Sequence, residues 1–335
     1  NFKLNVEVAD MQINELKNNI GNIVEGIFYV QDYQICSGTK SKYANVVISD
    51  ATGSHTARQW EESFTGEEKK LIGKIVSITG KVNTWEGTPS LSVSVMEEAA
   101  EGTYNMSDII KCLTSEQEKR LVGILNSYIS SINDEGIKNV VKHLFNENYN
   151  SLKTLPAGIK MHHSFIGGLL VHIVEVTSIA DAFLKMSATV NDVKEYSTNI
   201  DSDLVIAGAI LHDIGKCMEY RGFPCAKIST IGGLTGHLVL GARMLREANT
   251  AIISNGNEAI DDIKLELLEH IILASHGEYG VCTPRILEGL IVYKADDFSA
   301  ATDGHLLCLA EDKELHPEST DDFFKSRSGY LMRRR

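Results

Sequence analysis

From residue 21 to about 98 the chain alternates apolar and polar positions with a period of two. The runs IVEGIFYVQDYQI, KYANVVISDATG, SHTARQWEE and KIVSITGKVNTWEGTPSLSVSVME are rich in Val, Ile, Thr and aromatics. They are broken at Asp50-Ala51-Thr52-Gly53 and at Glu86-Gly87. Such alternation between turn residues predicts five short antiparallel strands, with residues 67–72 as a short helix between the third and fourth. Five strands with that insertion suit a small Greek-key barrel of the OB type, or another small barrel or sandwich.

Beyond residue 100 the period lengthens. Ser115-Glu116-Gln117-Glu118 ahead of RLVGILNSYI predicts a capped amphipathic helix, and residues 134–145 a second. Residues 101–150 thus read as a helical connector between a β domain over 1–100 and an all-α domain over 151–310. In the latter, a helix over 165–185 places Phe165, Leu169, His172, Val176 and Ile179 on one stripe, so His172 points at the core. Residues 204–220, LVIAGAILHDIGKCMEY, form an apolar helical run with Asp203 as N-cap. Its small residues Ala207, Gly208 and Ala209 admit a neighbouring helix. GHLVLGARMLREA begins a helix at His237, and IDDIKLELLEHIILASHG carries His270 within it and His276 at its end. Thr283 and Pro284 supply an N-cap and first-turn proline for RILEGLIVYKADDFSAAT, which holds Asp296. The charged residues 311–335 read as a flexible tail.

The 335-residue length suggests two domains, and a hydrophobic fraction of 43% is ample for packed cores. The net charge of −13 argues against a broad basic surface for duplex DNA and leaves room for a local groove or a metal-mediated phosphate site. Six cysteines, without a CxxC or a regular framework, read as reduced thiols of a cytoplasmic protein; no signal peptide or membrane-spanning run is apparent. The Gly-rich stretch GFPCAKISTIGGLTGH lacks the spacing of a Walker or dinucleotide fingerprint.

An adjacent His212 and Asp213 inside an apolar run must find strong partners, because an unpaired buried charge costs several kcal/mol or neutralises itself. Lys216 follows on the same side of the helix, placing a cation where a phosphate would need one. His172, His212 with Asp213, His237, His276 and Asp296 recur on the core side of successive helices. Imidazole and carboxylate ligands without thiolate suit divalent transition ions such as manganese, iron, nickel or zinc. Asp213 can bridge two ions, with His172, His212 and Asp296 completing one set and His237 with His276 the other. Such a pair clamps a phosphoryl group and generates hydroxide near neutral pH. On the barrel, Tyr33, Lys40, Lys42, Tyr43 and Trp85 are candidates for stacking on and tracking a single strand, while Trp60 could equally be core.

In these positions the chain resembles the HD-domain metal-dependent phosphohydrolases, whose H...HD...H...H...D pattern is matched by His172, His212-Asp213, His237, His276 and Asp296. It is more closely similar to the YhaM-type 3′-to-5′ exoribonucleases, which join an OB fold to an HD domain. MHHSFIGGLLVH, AGAILHDIGK, LTGH and YKADD look like that family's segments; DATGSHTARQW and GKVNTWEGTPSLSV look like its barrel. The resemblance covers residues 20 to 305. It departs at Ser275-His276-Gly277, where similar proteins carry two histidines before the glycine, which bears on the second metal.

The resemblance implies a metal-dependent 3′-to-5′ exonuclease that hydrolyses single-stranded RNA, or DNA, to nucleoside 5′-monophosphates. Two divalent ions are implied, manganese foremost, with iron, nickel, cobalt or zinc also admitted. Asp213, Lys216 and His163 are the catalytic candidates. His162 or His163 would bind phosphate or protonate the leaving 3′-oxygen, or else cap a helix. Single-stranded nucleic acid is the implied partner, no membrane is, and a homo-oligomer is compatible with the sequence. The alternatives are an HD phosphohydrolase acting on a small nucleotide and a non-catalytic nucleic-acid-binding scaffold.

Overall fold

Alternation becomes burial along the strands: in β3 (Lys42–Asp50), Ala44, Val46 and Ile48 are buried while Tyr43, Asn45 and Val47 are only partly covered. The computed structural model describes residues 9–38, 41–85, 87–158, 163–190, 199–222, 226–315, 322–326 and 329–333. The chain folds as two compact units, Asn1–Cys112 and Leu113–Arg335.

The first unit is a closed five-stranded barrel of the OB type. Its strands are β2 (Ile23–Ser37), β3, β4 (Gly53–Trp60), β5 (Ile75–Trp85) and β6 (Thr88–Glu98), with β1 (Ala9–Asp10) added parallel to β2 on the outside. Order β2-β3-β4-β6-β5 closes through a β2–β5 pairing that runs from Tyr29 opposite Ile75 to Ile23 opposite Lys81. The strands are not all antiparallel as expected, since β4 and β6 pair in parallel at Arg58 with Ser92 and Gln59 with Val93. The cause is topological: β5 skips β4 to join β2, so β6, folding back from β5, fills the gap in the direction of β4. The Asp50 turn is fixed by its own carboxylate, whose Oδ1 accepts from the Thr52 and Gly53 amides while Oδ2 accepts from Ile13. The predicted inserted helix is a single 3-10 turn, Glu68–Leu71. A short helix, α1 (Met106–Ile109), follows.

The second unit is helical. It comprises α2 (Ser115–Ser131), α3 (Glu135–Leu152), α4 (Gly168–Val190), α5 (Ser202–Leu211), α6 (Lys216–Glu219), α7 (Thr230–Thr235), α8 (His237–Ser254), α9 (Asp262–Ala274) and α10 (Leu287–Leu315). The minor strands β7 (Tyr220–Arg221) and β8 (Lys227–Ile228) form a small hairpin. Helices α2 and α3, placed by sequence in a connector, bury Leu125, Ile129, Val140 and Leu144 in the same core as α4 and α5. The α2 cap lies one residue earlier than read: Thr114 accepts from the Gln117 amide, and Gln117 returns a bond to the Thr114 amide.

Residues 204–211 of α5 are all buried. Its N-cap is Asp201 rather than Asp203; Asp203 instead accepts from the backbone amides of Asn133 and Asp134, tying α5 to the α2–α3 turn. A Cβ on Gly208 would meet Ile271 of α9 at 2.5 Å, which accounts for the small residue there. The predicted single helix over 204–220 divides in two. Successive i→i+3 bonds, Ile214 to Leu211, Lys216 to Asp213 and Cys217 to Ile214, tighten the chain between α5 and α6. A Cβ on Gly215 would lie 1.9 Å from the His237 carbonyl, so glycine permits this turn to abut the start of α8.

Helix α10 starts at Leu287, after the expected Thr283-Pro284 cap, and the Arg285 amide ahead of it donates to His270 Nε2 at 2.9 Å. Where a flexible tail was expected, α10 continues to Leu315. A hairpin follows, β9 (Phe323–Ser326) with β10 (Gly329–Met332), and Arg333 pairs with Asp312. Among the described residues no helix is long and apolar enough to cross a membrane.

Asp134 caps α3 and pairs with Lys264 of α9. Partial burial raises its pKa, but the Lys264 partner and the cap amides win and hold it below its ordinary value. A depressed carboxyl stabilises the fold above its unfolded pKa, near 3.9, and loses that contribution as pH falls through the folded value. Asp134→Ala is expected to cost about 1–2 kcal/mol at pH 7 in urea denaturation, chiefly through the cap. Asp134→Asn keeps a capping side chain and loses only the charge, so its smaller deficit should close below about pH 4.

Candidate metal centre

Six side chains from five places in the helical unit meet in one pocket. His172 comes from the second turn of α4, His212 from the C-cap of α5, and Asp213 from the tight turn beyond it. His237 opens α8, His276 follows α9, and Asp296 lies on α10. Their ligand atoms form two sets, each within 4.8 Å: His172, His212 and Asp296, and Asp213, His237 and His276. In the first set, His172 Nε2 lies 3.0 Å from Asp296 Oδ1 and 3.2 Å from His212 Nε2. In the second, His237 Nε2 and His276 Nε2 are 2.9 Å apart and lie 3.5 and 3.8 Å from Asp213 Oδ1. Asp213 joins the two, since its Oδ2 lies 3.4 Å from both His172 Nε2 and His212 Nε2.

The donor chemistry fits divalent cations. His212 Nδ1 donates to the Ala209 carbonyl at 2.8 Å and His276 Nδ1 to Asp296 Oδ2 at 2.8 Å, while His237 Nδ1 lies 3.0 Å from Glu219 Oε2, whose other oxygen accepts from the His237 amide. Carbonyls and carboxylates only accept, so these three rings carry their proton on Nδ1 and leave Nε2 as a lone pair facing the pocket. Lone pairs directed at one another and at carboxylates repel unless a cation lies among them. Asp213 Oδ1 is fully buried and has no hydrogen-bond donor among the described residues. Asp296 serves both sets, through Oδ1 toward His172 and Oδ2 on His276.

Burial by itself would raise the pKa of Asp213, but Lys216 and His212 beside it prevail and hold its carboxyl well below the usual range. Lys216 is 5% exposed, with Nζ 2.6 Å from Asp213 Oδ2. Burial lowers its pKa, and the Asp213 charge more than restores it. His172 is likewise lowered by burial and raised further by Asp213 and Asp296. Protonation of His172 Nε2 would set positive charge among these carboxylates, where a bound cation would also sit.

His163 is 2% exposed and turned inward, with Nε2 3.1 Å from Glu175; His162 lies outside the described residues. Ser275, where the related pattern has histidine, is buried and donates to the Ile272 carbonyl, so it faces its own helix rather than the ligand sets. Sequence reasoning missed Glu219, Glu175 and Ser299, polar residues on helices that carry no spacing signal of their own.

On the barrel, Tyr43 tilts against Trp60 at 5.8 Å. The Arg58 guanidinium lies 4.3 Å from the Trp85 ring and 5.5 Å from Tyr43, making a run of alternating aromatic and cationic surface on β3, β4 and β5. Arg58 was overlooked, although its spacing of two from Trp60 places both on one face of β4. Lys42 is exposed and Trp85 half exposed, while Lys40 lies outside the described residues. Tyr33 does not reach the surface. It is 4% exposed and its hydroxyl donates to Gln59 Oε1, which makes it core.

Residues 169–301 match the family model of the HD domain, and all six ligand candidates fall within them. Among solved structures, the chain is similar to a replication protein A heterotrimer bound to single-stranded DNA, at 16% identity over 28% of this chain and 82% of that one, with a TM-score of 0.23. It is also similar to replication protein A of U. maydis bound to single-stranded DNA, at 11% identity over 36% and 91%, TM-score 0.21. A third match is the second OB-fold domain of replication protein A from Methanococcus maripaludis, at 17% identity over 29% and 99%, TM-score 0.19.

Proposed function

We propose that this protein is a divalent-metal-dependent exonuclease that shortens single-stranded RNA from its 3′ end and releases nucleoside 5′-monophosphates. The observation that carries the reading is the disposition of Asp213, whose two oxygens face the two histidine sets from the centre of an HD domain. His172, His212 and Asp296 would hold one cation, His237 and His276 the other, with Asp213 between. Cations bound there supply Lewis-acid polarisation of a phosphoryl oxygen and lower the pKa of water.

The protein's own groups do the positioning. Lys216, buried against Asp213 Oδ2, keeps that carboxylate ionised and aimed. Asp213 Oδ1, which no donor among the described residues engages, would accept from the attacking water and orient it toward phosphorus. Addition of water at phosphorus breaks the bond to the 3′-oxygen, which takes up a proton, leaving a strand one residue shorter with a new 3′-hydroxyl. The aromatic and cationic face of Tyr43, Arg58, Trp60 and Trp85 supports a nucleic-acid substrate, because stacking on aromatics suits a single strand of any sequence. The polarity and the preference for RNA rest on the resemblance of the MHHSFIGGLLVH, AGAILHDIGK, LTGH and YKADD segments to the exoribonucleases.

A substrate panel with manganese tests this. An oligoribonucleotide with a free 3′-hydroxyl should give a ladder of products and free 5′-monophosphates, and a 3′-phosphorylated one should resist. Turnover of small nucleotides with the oligonucleotide left intact would overturn the proposal.

A further inference from the structure

Three of the four imidazoles around Asp213 have their tautomer dictated by an atom that can only accept. His172 differs, because its Nδ1 faces a hydroxyl, Ser299 Oγ, at 3.1 Å. A serine hydroxyl can donate to that nitrogen or accept from it. Its single proton, however, is engaged: Ser299 Oγ donates to Glu175 Oε2 at 2.8 Å. A carboxylate takes that proton and offers none, so Ser299 must receive the Nδ1 proton of His172. We infer that Glu175, acting through Ser299, fixes His172 as its Nδ1–H tautomer and so presents the Nε2 lone pair to the set it shares with His212 and Asp296. Glu175 and Ser299 are positioning residues of the metal centre, and this rests on reading that centre as one that holds cations.

The helices are built for this arrangement. His172 and Glu175 are one turn apart on α4, and Asp296 and Ser299 one turn apart on α10, so the ring of His172 is spanned on both nitrogens by α10. Glu175 keeps 45% of its side chain exposed, yet is held from a second side by His163 Nε2 at 3.1 Å. His163 in turn stands at φ 48°, a conformation few non-glycine residues adopt, with its amide bonded to Asp303 Oδ2 at 2.7 Å, further along α10. Without Glu175, the Ser299 proton could turn to His172 Nδ1 and select the other tautomer, whose Nε2 proton would block the lone pair.

Calorimetric titration of metal-free protein with Mn²⁺ tests the inference, using wild type, Ser299→Ala, Ser299→Thr and Glu175→Ala. Ser299→Ala and Glu175→Ala should each weaken Mn²⁺ binding by about 10–100-fold, while Ser299→Thr, which keeps the hydroxyl, should stay within about twofold of wild type. In ¹⁵N-histidine spectra of zinc-loaded protein, His172 should carry its proton on Nδ1 in wild type and lose that defined signal in Ser299→Ala. Should Ser299→Ala fail to fold, the partly exposed Glu175 provides the deciding variant. Wild-type affinity in both Ser299→Ala and Glu175→Ala would overturn the inference and leave the metal centre standing. Absence of any Mn²⁺ binding by wild type would overturn the metal centre itself, and this inference with it.

Discussion

Asp213→Ala is expected to abolish manganese-dependent release of mononucleotides from single-stranded RNA, a loss of about 10³-fold or more, equivalent to at least about 4 kcal/mol of barrier. The size follows from position. Asp213 turns its oxygens to the Nε2 atoms of both histidine sets, Oδ1 toward His237 and His276 and Oδ2 toward His172 and His212, whereas Asp296 meets the second set only at His276 Nδ1. Replacing it removes a ligand from each set at once, so bound manganese, counted by mass spectrometry, should fall together with activity. Asp213→Asn keeps the shape and discards the charge, and should be nearly as inactive. Turnover retained at the wild-type rate in either variant would refute the assignment.

The second large effect is on stability. Lys216→Met should destabilise the metal-free protein by about 3–5 kcal/mol, because it leaves a buried carboxylate without its closest counter-charge. For a unit of this size, even about 3 kcal/mol corresponds to a drop in Tm of roughly 6–12 °C. Two further measurements separate this from simple loss of packing. The double variant Asp213→Asn with Lys216→Met should recover most of the deficit, since neutralising both partners removes the stranded charge. Added Mn²⁺ should also recover part of it in Lys216→Met, because a ligand that binds the folded state stabilises it by mass action. An unchanged Tm in the single variant would show that the histidines alone suffice to accommodate Asp213.

The barrel was legible because period-two burial is a local property: Ala44, Val46 and Ile48 can be placed inside from their spacing alone. Its parallel closure was not, since whether β6 pairs beside β4 depends on β5 having crossed to β2, a long-range choice with no local mark. In the helical unit, adjacent polar groups in an apolar run drew attention to His212 and Asp213. The break between α5 and α6 escaped notice because over half a dozen residues a turn of 3.0 and one of 3.6 give the same apolar pattern. The tighter geometry still stacks Asp213 beneath Lys216, so the expected pairing arises by a different route. Asp203 directly precedes the run, the place of a cap, yet Asp201 caps instead, and Asp203 is drawn to the backbone of a segment 70 residues away. Glu175, Glu219 and Ser299 look like ordinary polar positions of amphipathic helices. Only three-dimensional proximity makes them orient ligands.

Closure of the barrel through Arg58 with Ser92 and Gln59 with Val93 also sets a timetable for biosynthesis. A nascent chain that has left the ribosome only as far as Trp60 can pair β2, β3 and β4, but both lateral edges of that sheet stay open until β5 and β6 arrive. At about 5–20 residues per second that interval lasts a few seconds, during which unpaired edges invite association with other chains. A pause in translation while residues 61 to 98 are still emerging would prolong the exposure, whereas a pause after residue 98 has emerged would find the barrel already sealed.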